Sequence, residues 1–182
     1  MKKSLLQFTM ILPLALFLCF TFGCQKQGED VSNEEELREI VLRVLEEAWN
    51  QGKMEVLDEQ LATEYIYHHF PYPDVEGVEA YKQLIAEMRN NYPDFKLTVE
   101  EIIIKGDIAV IRGSFSGTNT GDSLTLGIPA TGKQVAFKWC NVSHRVNGKT
   151  IEDWNYVDYL GAMQQLGFTL TPPQPPAPQE KK

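Results

Sequence analysis

The chain is poor in cysteine and has no excess of basic residues, and each shortage excludes a class of protein. Three cysteines occur in 182 residues. Cys19 and Cys24 lie within or directly after an N-terminal apolar run, which leaves Cys140 alone in the remainder. No disulfide can form within that remainder, so its stability must come from a hydrophobic core. The net charge of −8 argues against a nucleic-acid partner, because phosphate contact needs a basic surface.

Histidine is equally scarce, and its spacing argues against a metal centre. His68, His69 and His144 lack the spacing of a helical zinc pair, and no cysteine accompanies them. We therefore predict no metal site in this chain.

The N-terminus resembles a bacterial lipoprotein signal. Residues 1–3 are Met-Lys-Lys, residues 5–22 are largely apolar, and Cys24 precedes a polar stretch. This is the layout of a secretory signal. We expect residues 1–23 to be removed, Cys24 to carry lipid, and residues 24–31 to be a linker that tethers the protein in the cell envelope, outside the cytoplasm. Because the apolar run is just long enough to span a membrane, an N-terminal membrane anchor is an alternative, as is secretion.

Helical periodicity marks the first part of the globular domain, which we assign to residues 32–170. Ser32 and Glu35 form a capping box, and apolar residues then recur at helical spacing for about four turns. A shorter helix is predicted over residues 54–61. A third helix carries Tyr81 on its apolar face.

The second part of the domain is predicted to form strands, at residues 95–105, 108–118, 133–146 and 150–157. Asn147-Gly148, between the last two, is a strong hairpin signal. Residues 171–182 are a proline-rich tail that cannot join a core. Helices followed by an antiparallel meander predict an α+β fold. We expect three helices packed on a curved antiparallel sheet, enclosing a pocket for a small apolar ligand.

Four stretches occur in an order typical of one protein family: HHFPYPDVEG (68–77), NYPDFKLTVEEI (91–102), FSGTNTGDSLTLGIPATGKQV (115–135) and GKTIEDWNYVDYLGAMQQLG (148–167). Together they resemble SnoaL-like polyketide cyclases, also called ester cyclases. The resemblance implies a cystatin-like or nuclear transport factor 2-like cone. It also implies ring closure of a polyketide ester by intramolecular aldol chemistry without a cofactor. In that family an aspartate on the last strand is the acid/base, and a histidine on the neighbouring strand holds or polarises the substrate.

Carried onto this chain, both family residues become asparagines. The aspartate aligns with Asn155 and the histidine with Asn141, and Asn119 stands where many relatives carry histidine. An amide forms hydrogen bonds but cannot abstract a proton. The resemblance therefore predicts that the acid/base has been replaced and that the pocket binds its ligand without turnover. The predicted ligand-binding residues are Asn119, Trp139, Asn141, Phe137 and Tyr65.

Two other residues are candidate bases, and either would make the protein a cofactor-independent cyclase, isomerase or hydrolase. Asp153 shares the strand face of Asn155, because residues of equal parity point the same way. His69 lies in an aromatic-rich loop, where it either lines the pocket or bonds to backbone. A further alternative is a homodimeric interaction domain that uses the open face of the sheet.

Whether the Asp153 side chain faces the pocket depends on the register of the hairpin, and the sequence allows two registers. A two-residue turn at Asn147-Gly148 predicts Val142 opposite Asp153, whereas a bulge predicts Ser143 there.

Overall fold

The computed structural model describes residues 33–123 and 127–171. The predicted signal peptide, the linker with Cys24, the capping residue Ser32 and the tail from residue 172 onward lie outside these ranges. Within them, no helix is long and apolar enough to cross a membrane.

The first two helices lie close to their predicted positions. In chain order the helices are α1 (residues 33–44, continued by the π-helical Leu45–Asn50), α2 (Glu55–Gln60), α3 (Val78–Asn91) and α4 (Tyr159–Leu166). The Asp158 side chain caps α4 by accepting a hydrogen bond from the backbone N–H of Gly161 at 2.9 Å. Gly167 ends the same helix in the left-handed conformation, with φ 103°.

Six strands form one sheet, in the spatial order β2-β1-β6-β5-β4-β3. They are β1 (Leu61–His68), β2 (Val75–Glu76), β3 (Lys96–Lys105), β4 (Ile108–Thr118), β5 (Gln134–Val146) and β6 (Lys149–Val157). The prediction of an α+β fold with helices packed on a curved sheet is confirmed. One detail differs, since β1 pairs with β6 in parallel while every other neighbouring pair is antiparallel. No hairpin joins β1 to β6, so no tight turn sets their relative direction.

The β5–β6 hairpin determines which side chains face the helices. Asn147 and Gly148 both have positive φ, 51° and 76°, as a type I′ turn requires. Beyond the turn the ladder skips Ile151, which is an extra residue on β6. This bulge shifts the register by one residue and pairs Ser143 with Asp153. Of the two registers left open, the bulged one is therefore present.

Two apolar clusters fill the space between helices and sheet. The larger one joins α1 and α4 to β4 and β5, and includes Leu37, Val41, Phe115, Trp139 and Leu166. The smaller one joins α2, α3 and β1, and includes Val56, Leu57, Tyr65, Tyr81 and Ile85. Trp49 of α1 packs against both clusters. Each fully buried side chain of this size contributes about 1.5–3 kcal/mol, so the helices are held firmly over the sheet.

Candidate active site

A cavity of about 170 Å³ lies between the helices and the inner face of the sheet. Its walls are mainly apolar and include Val41, Leu84, Met88, Ile111, Phe137 and Trp139. Among the described residues no lysine or arginine lines it, and its carboxyl groups are those of Asp153 and Glu87. A cavity of this kind fits a small and largely apolar ligand.

Trp139 forms part of the cavity wall because the neighbouring strand carries a glycine beside it. Gly113 of β4 pairs with Trp139 of β5. A Cβ on Gly113 would lie 2.6 Å from the indole ring, which is too close for any real side chain. The indole is buried, and its Nε1 has no hydrogen-bond partner within the described part of the chain.

Asp153 is a buried carboxylate that lines the cavity. The Tyr65 hydroxyl donates to its Oδ2 at 2.6 Å, and the Asn141 amide donates to its Oδ1 at 3.0 Å. The Ser143 hydroxyl is a third donor. Burial raises the pKa of Asp153 above its usual value, the nearby Glu152 charge adds to the rise, and the three donors offset part of it.

Three side chains connect α1 to the surroundings of Asp153. The Trp49 indole Nε1 donates to the Tyr81 hydroxyl at 3.2 Å. The Tyr81 ring packs against that of Tyr65, with 5.1 Å between centroids, and the Tyr65 hydroxyl donates to Asp153. We call Trp49, Tyr81 and Tyr65 the donor chain.

Burial keeps the donor chain protonated. It raises the pKa of the Tyr65 hydroxyl, and that of the Tyr81 hydroxyl, well above the usual tyrosine value. Both phenols therefore stay neutral over the whole range in which Asp153 titrates, and Tyr65 acts on it as a donor.

Asn155 lies on the same strand face as Asp153 and also lines the cavity. It is paired with Asn141 across the β5–β6 ladder. Its side-chain Nδ2 donates to the Tyr67 hydroxyl oxygen at 2.5 Å. Tyr67 is buried and lines the cavity, and burial raises its pKa well above the usual value while the Asn155 bond offsets part of the rise.

His69 follows β1 directly and lines the cavity as a buried side chain. Its ring stacks on Tyr67 with a centroid separation of 5.4 Å. Burial lowers the pKa of His69, partly offset by a backbone hydrogen bond at Pro73 and by the charge of Asp74. The imidazole is therefore neutral at neutral pH and carries one donor and one acceptor.

Two of the predicted ligand-binding residues do not line the cavity. Asn119 is fully buried in the loop after β4, where its Oδ1 accepts from the Thr131 N–H and hydroxyl at 2.8 and 2.9 Å. Its Nδ2 donates to the Gly121 carbonyl at 3.0 Å, so the side chain holds the loop together. Tyr65 lies behind Asp153 and reaches the site only through that carboxylate.

The other predicted site residues come together on the inner face. Asp153, Asn155, Asn141, Trp139, Phe137 and His69 all line the cavity. The sequence interpretation missed Tyr67, Ser143 and the donor chain. One signal for Tyr67 was available, because it shares strand parity with Tyr65 and so must face the helices.

The other two histidines lie on the opposite face of the sheet. His144 Nδ1 and His68 Nε2 flank the Glu152 carboxylate at 3.2 and 3.8 Å. The His68 ring also stacks on Trp154. No group of three potential metal-binding side chains is close enough to hold an ion in the ranges that the structure describes.

The chain is similar to proteins of one family. The model of the SnoaL-like polyketide cyclase family matches residues 39–166. The aklanonic acid methyl ester cyclase DauD of Streptomyces sp. (strain C5) is 26% identical over 153 residues, 78% of this chain and 91% of DauD.

Solved structures of other proteins are also similar to this chain. TsrD from Streptomyces laurentii is 29% identical, with a TM-score of 0.64 over 72% of this chain and 94% of TsrD. A protein of Jannaschia sp. CCS1 assigned to the SnoaL-like polyketide cyclases shares the fold, with 24% identity and a TM-score of 0.69. That match covers 75% of this chain and 95% of the other.

Proposed function

Because the chain belongs to the SnoaL-like polyketide cyclase family, we propose that it binds a small, largely apolar carbonyl compound and that Asp153 moves a proton on it. One observation carries the proposal: Asp153 is a buried carboxylate in the wall of a mainly apolar cavity. Taking a proton from carbon needs a base stronger than a carboxylate in water. Burial supplies this by raising the pKa of Asp153.

In the proposed reaction the Asp153 carboxylate takes a proton from the carbon beside a ligand carbonyl. The electron pair of that C–H bond moves toward the carbonyl oxygen and forms an enolate. The enolate carbon then attacks a second carbonyl of the same ligand, which forms the new C–C bond. The second carbonyl oxygen takes up the proton that Asp153 holds, so the carboxylate is regenerated.

The surroundings of Asp153 favour it over the other candidates. Asn155 stands where the resembled cyclases carry their acid/base, and its amide cannot take a proton. His69 has an acceptor nitrogen, but burial lowers its pKa and makes it a weaker base than an exposed imidazole. The donor chain and Asn141 hold the Asp153 carboxylate in one orientation, as a proton-transfer group requires.

The proposal can be tested without the natural ligand. β-Tetralone is an apolar ketone with acidic C–H bonds beside its carbonyl, and proton NMR in heavy water follows their exchange for deuterium. We expect the protein to accelerate this exchange and Asp153→Asn to lower the catalysed rate by about 10²- to 10⁴-fold, the usual contribution of a general base. Asp158→Asn is the matched control, because that side chain caps α4 and an asparagine caps equally well.

Two results would contradict the proposed role of Asp153. Exchange at the wild-type rate in Asp153→Asn would assign the proton transfer to another group, and His69→Gln would then be the next variant. If the wild-type protein binds β-tetralone but does not accelerate its exchange, the proposed catalytic function is wrong.

That second result is the signature of the alternative function, ligand binding without turnover. The observation that favours it is the pairing of Asn155 with Asn141, two amides where the resemblance implies an acid/base and a histidine. Under this alternative Asp153 serves only to orient Tyr65 and Asn141.

We also propose that the protein works in the cell envelope, held by lipid on Cys24. The support is the basic start, the apolar residues 5–22 and the polar residues that follow Cys24. Mass spectrometry of the mature protein tests this: a diacylated Cys24 at the N-terminus supports the tether, and an intact Met1 contradicts it.

A further inference from the structure

The bond between Asn155 and Tyr67 has a defined direction. The Asn155 Nδ2 lies 2.5 Å from the Tyr67 hydroxyl oxygen and donates its proton to that oxygen. A phenol oxygen that accepts one hydrogen bond still carries its own proton. That proton must point to a different group.

The neighbours of Tyr67 leave the cavity as the direction for this proton. Asn155 is the hydrogen-bond partner that the described part of the chain provides for the Tyr67 hydroxyl. The nearest phenol ring is that of Tyr81, at 4.8 Å between centroids, and its interaction with the Tyr67 hydroxyl is electrostatic, without a hydrogen bond. Tyr67 and Asn155 both line the cavity.

The Tyr67 hydroxyl is also a strong donor. Burial raises the pKa of Tyr67 well above the usual tyrosine value, so the group is protonated at neutral pH. Donation from the Asn155 amide polarises the O–H bond and strengthens it as a donor, because hydrogen bonds in a chain reinforce one another.

We infer that Tyr67 is the residue that binds the ligand carbonyl oxygen and that Asn155 is the positioning residue that turns the Tyr67 proton into the cavity. The inference rests on the proposed function in one respect, since it needs a carbonyl ligand in this cavity. It does not depend on proton transfer by Asp153. In the proposed reaction the same hydroxyl would stabilise the enolate oxygen.

This role explains why an amide suits position 155. An ionised aspartate accepts hydrogen bonds and cannot donate them. At position 155 it would take the Tyr67 proton, reverse the bond and remove the donor from the cavity. Asn155→Asp therefore changes the direction of one hydrogen bond at almost constant side-chain volume.

Infrared spectroscopy detects the hydrogen bond from Tyr67 to the ligand carbonyl directly. The probe is α-tetralone with an isotopic label in its carbonyl, bound to the purified full chain, because a hydrogen bond to the oxygen lowers the C=O stretching frequency. We expect the bound frequency to be low in the wild-type protein and to rise in Tyr67→Phe and in Asn155→Asp. Tyr72→Phe is the matched control, since the Tyr72 ring packs at a tilt against His69 but lies outside the cavity lining, and it should keep the wild-type frequency.

Binding of two probes separates this inference from the proposed function. Tetralin has the shape of α-tetralone but no carbonyl, so its affinity reports only on the cavity. Tyr67→Phe should weaken α-tetralone by roughly three- to tenfold, as expected for one neutral hydrogen bond, and leave tetralin unchanged.

The outcomes that overturn the inference are clear. An unchanged carbonyl frequency in Tyr67→Phe, or an equal loss of both probes, means that Tyr67 only shapes the cavity. If the frequency rises as expected but Asp153→Asn leaves exchange unaffected, Tyr67 keeps its role and the proposed role of Asp153 fails. If neither probe binds the wild-type protein, the apolar-ligand proposal fails and this inference with it.

Discussion

Replacing Tyr65 by phenylalanine removes one hydroxyl from a side chain that is completely buried. That hydroxyl donates to Asp153 Oδ2 at 2.6 Å. The ring, its packing in the smaller cluster and the backbone of β1 are retained. The substitution therefore isolates the hydrogen bond.

The expected cost follows from what this bond connects. A hydrogen bond to a charged group contributes about 1.5–3 kcal/mol and one between neutral groups about 1 kcal/mol. Asp153 is buried, so water cannot replace the lost donor. Tyr65→Phe should lower the free energy of unfolding at pH 7 by about 1.5–3 kcal/mol, a large share of the roughly 5–15 kcal/mol typical of a domain.

The cost should depend on pH, which separates it from a packing defect. Burial raises the pKa of Asp153 in the folded state, so the folded protein binds this proton more tightly than the unfolded one. Stability therefore falls as pH rises from the ordinary aspartate range through the folded-state pKa, and levels off above it. Without the Tyr65 donor this pKa is higher still, and the fall extends to higher pH. In acid, where the carboxyl is neutral, the deficit should shrink to about 1 kcal/mol.

Urea denaturation followed by tryptophan fluorescence at a series of pH values measures both effects. Tyr156→Phe is the control, because Tyr156 is 58% exposed on the outer face of β6, and it should change stability by less than about 0.5 kcal/mol. A deficit of the same size at every pH would refute the electrostatic reasoning. No deficit at all would show that the bond to Asp153 contributes nothing.

Other expectations follow from the same geometry. Gly113→Ala should destabilise the fold by about 1–3 kcal/mol, since a Cβ there meets the Trp139 ring, and urea denaturation measures it. Asn119→Ala should cost about 1–3 kcal/mol but leave tetralin affinity unchanged, because Asn119 lies outside the cavity lining. The rate of β-tetralone exchange should rise with pH above the ordinary aspartate range, because Asp153 has a raised pKa and acts only when ionised. A separate expectation comes from the proposed lipid tether: if it is present, metabolic labelling with palmitate should mark the wild-type protein and not Cys24→Ser.

Patterns of local origin could be predicted from the sequence. The type I′ turn at Asn147-Gly148 depends on two residues that tolerate positive φ. The shared face of Asp153 and Asn155 follows from strand parity alone, and both line the cavity. The same parity places Trp139 and Asn141 on one face of β5, and both line the cavity.

Features that depend on distant contacts could not be predicted. The bulge at Ile151 adjoins Arg145, whose backbone N–H bonds at 2.9 Å to the carbonyl of Asp107 in the β3–β4 turn. No pattern near the hairpin reports that contact, and without the bulge Asp153 would pair with another residue. The position of Asn119 has a related cause: the resemblance suggests a pocket residue, whereas the Asn119 oxygen accepts a hydrogen bond from the Thr131 N–H in the loop.

Asp153 and Asn155, on the inner face of β6, differ in their hydrogen bonds to tyrosine hydroxyl groups. The Tyr65 hydroxyl donates to Asp153 and keeps that carboxylate oriented. Asn155 donates to Tyr67, and under the inference above the Tyr67 proton is directed into the cavity. An acceptor at Asp153 and a donor at Tyr67 are what abstraction of a proton beside a polarised carbonyl requires. An amide at position 155, where the resemblance implies an acid/base, is therefore compatible with the proposed catalysis, in which the base lies two residues earlier on the same face.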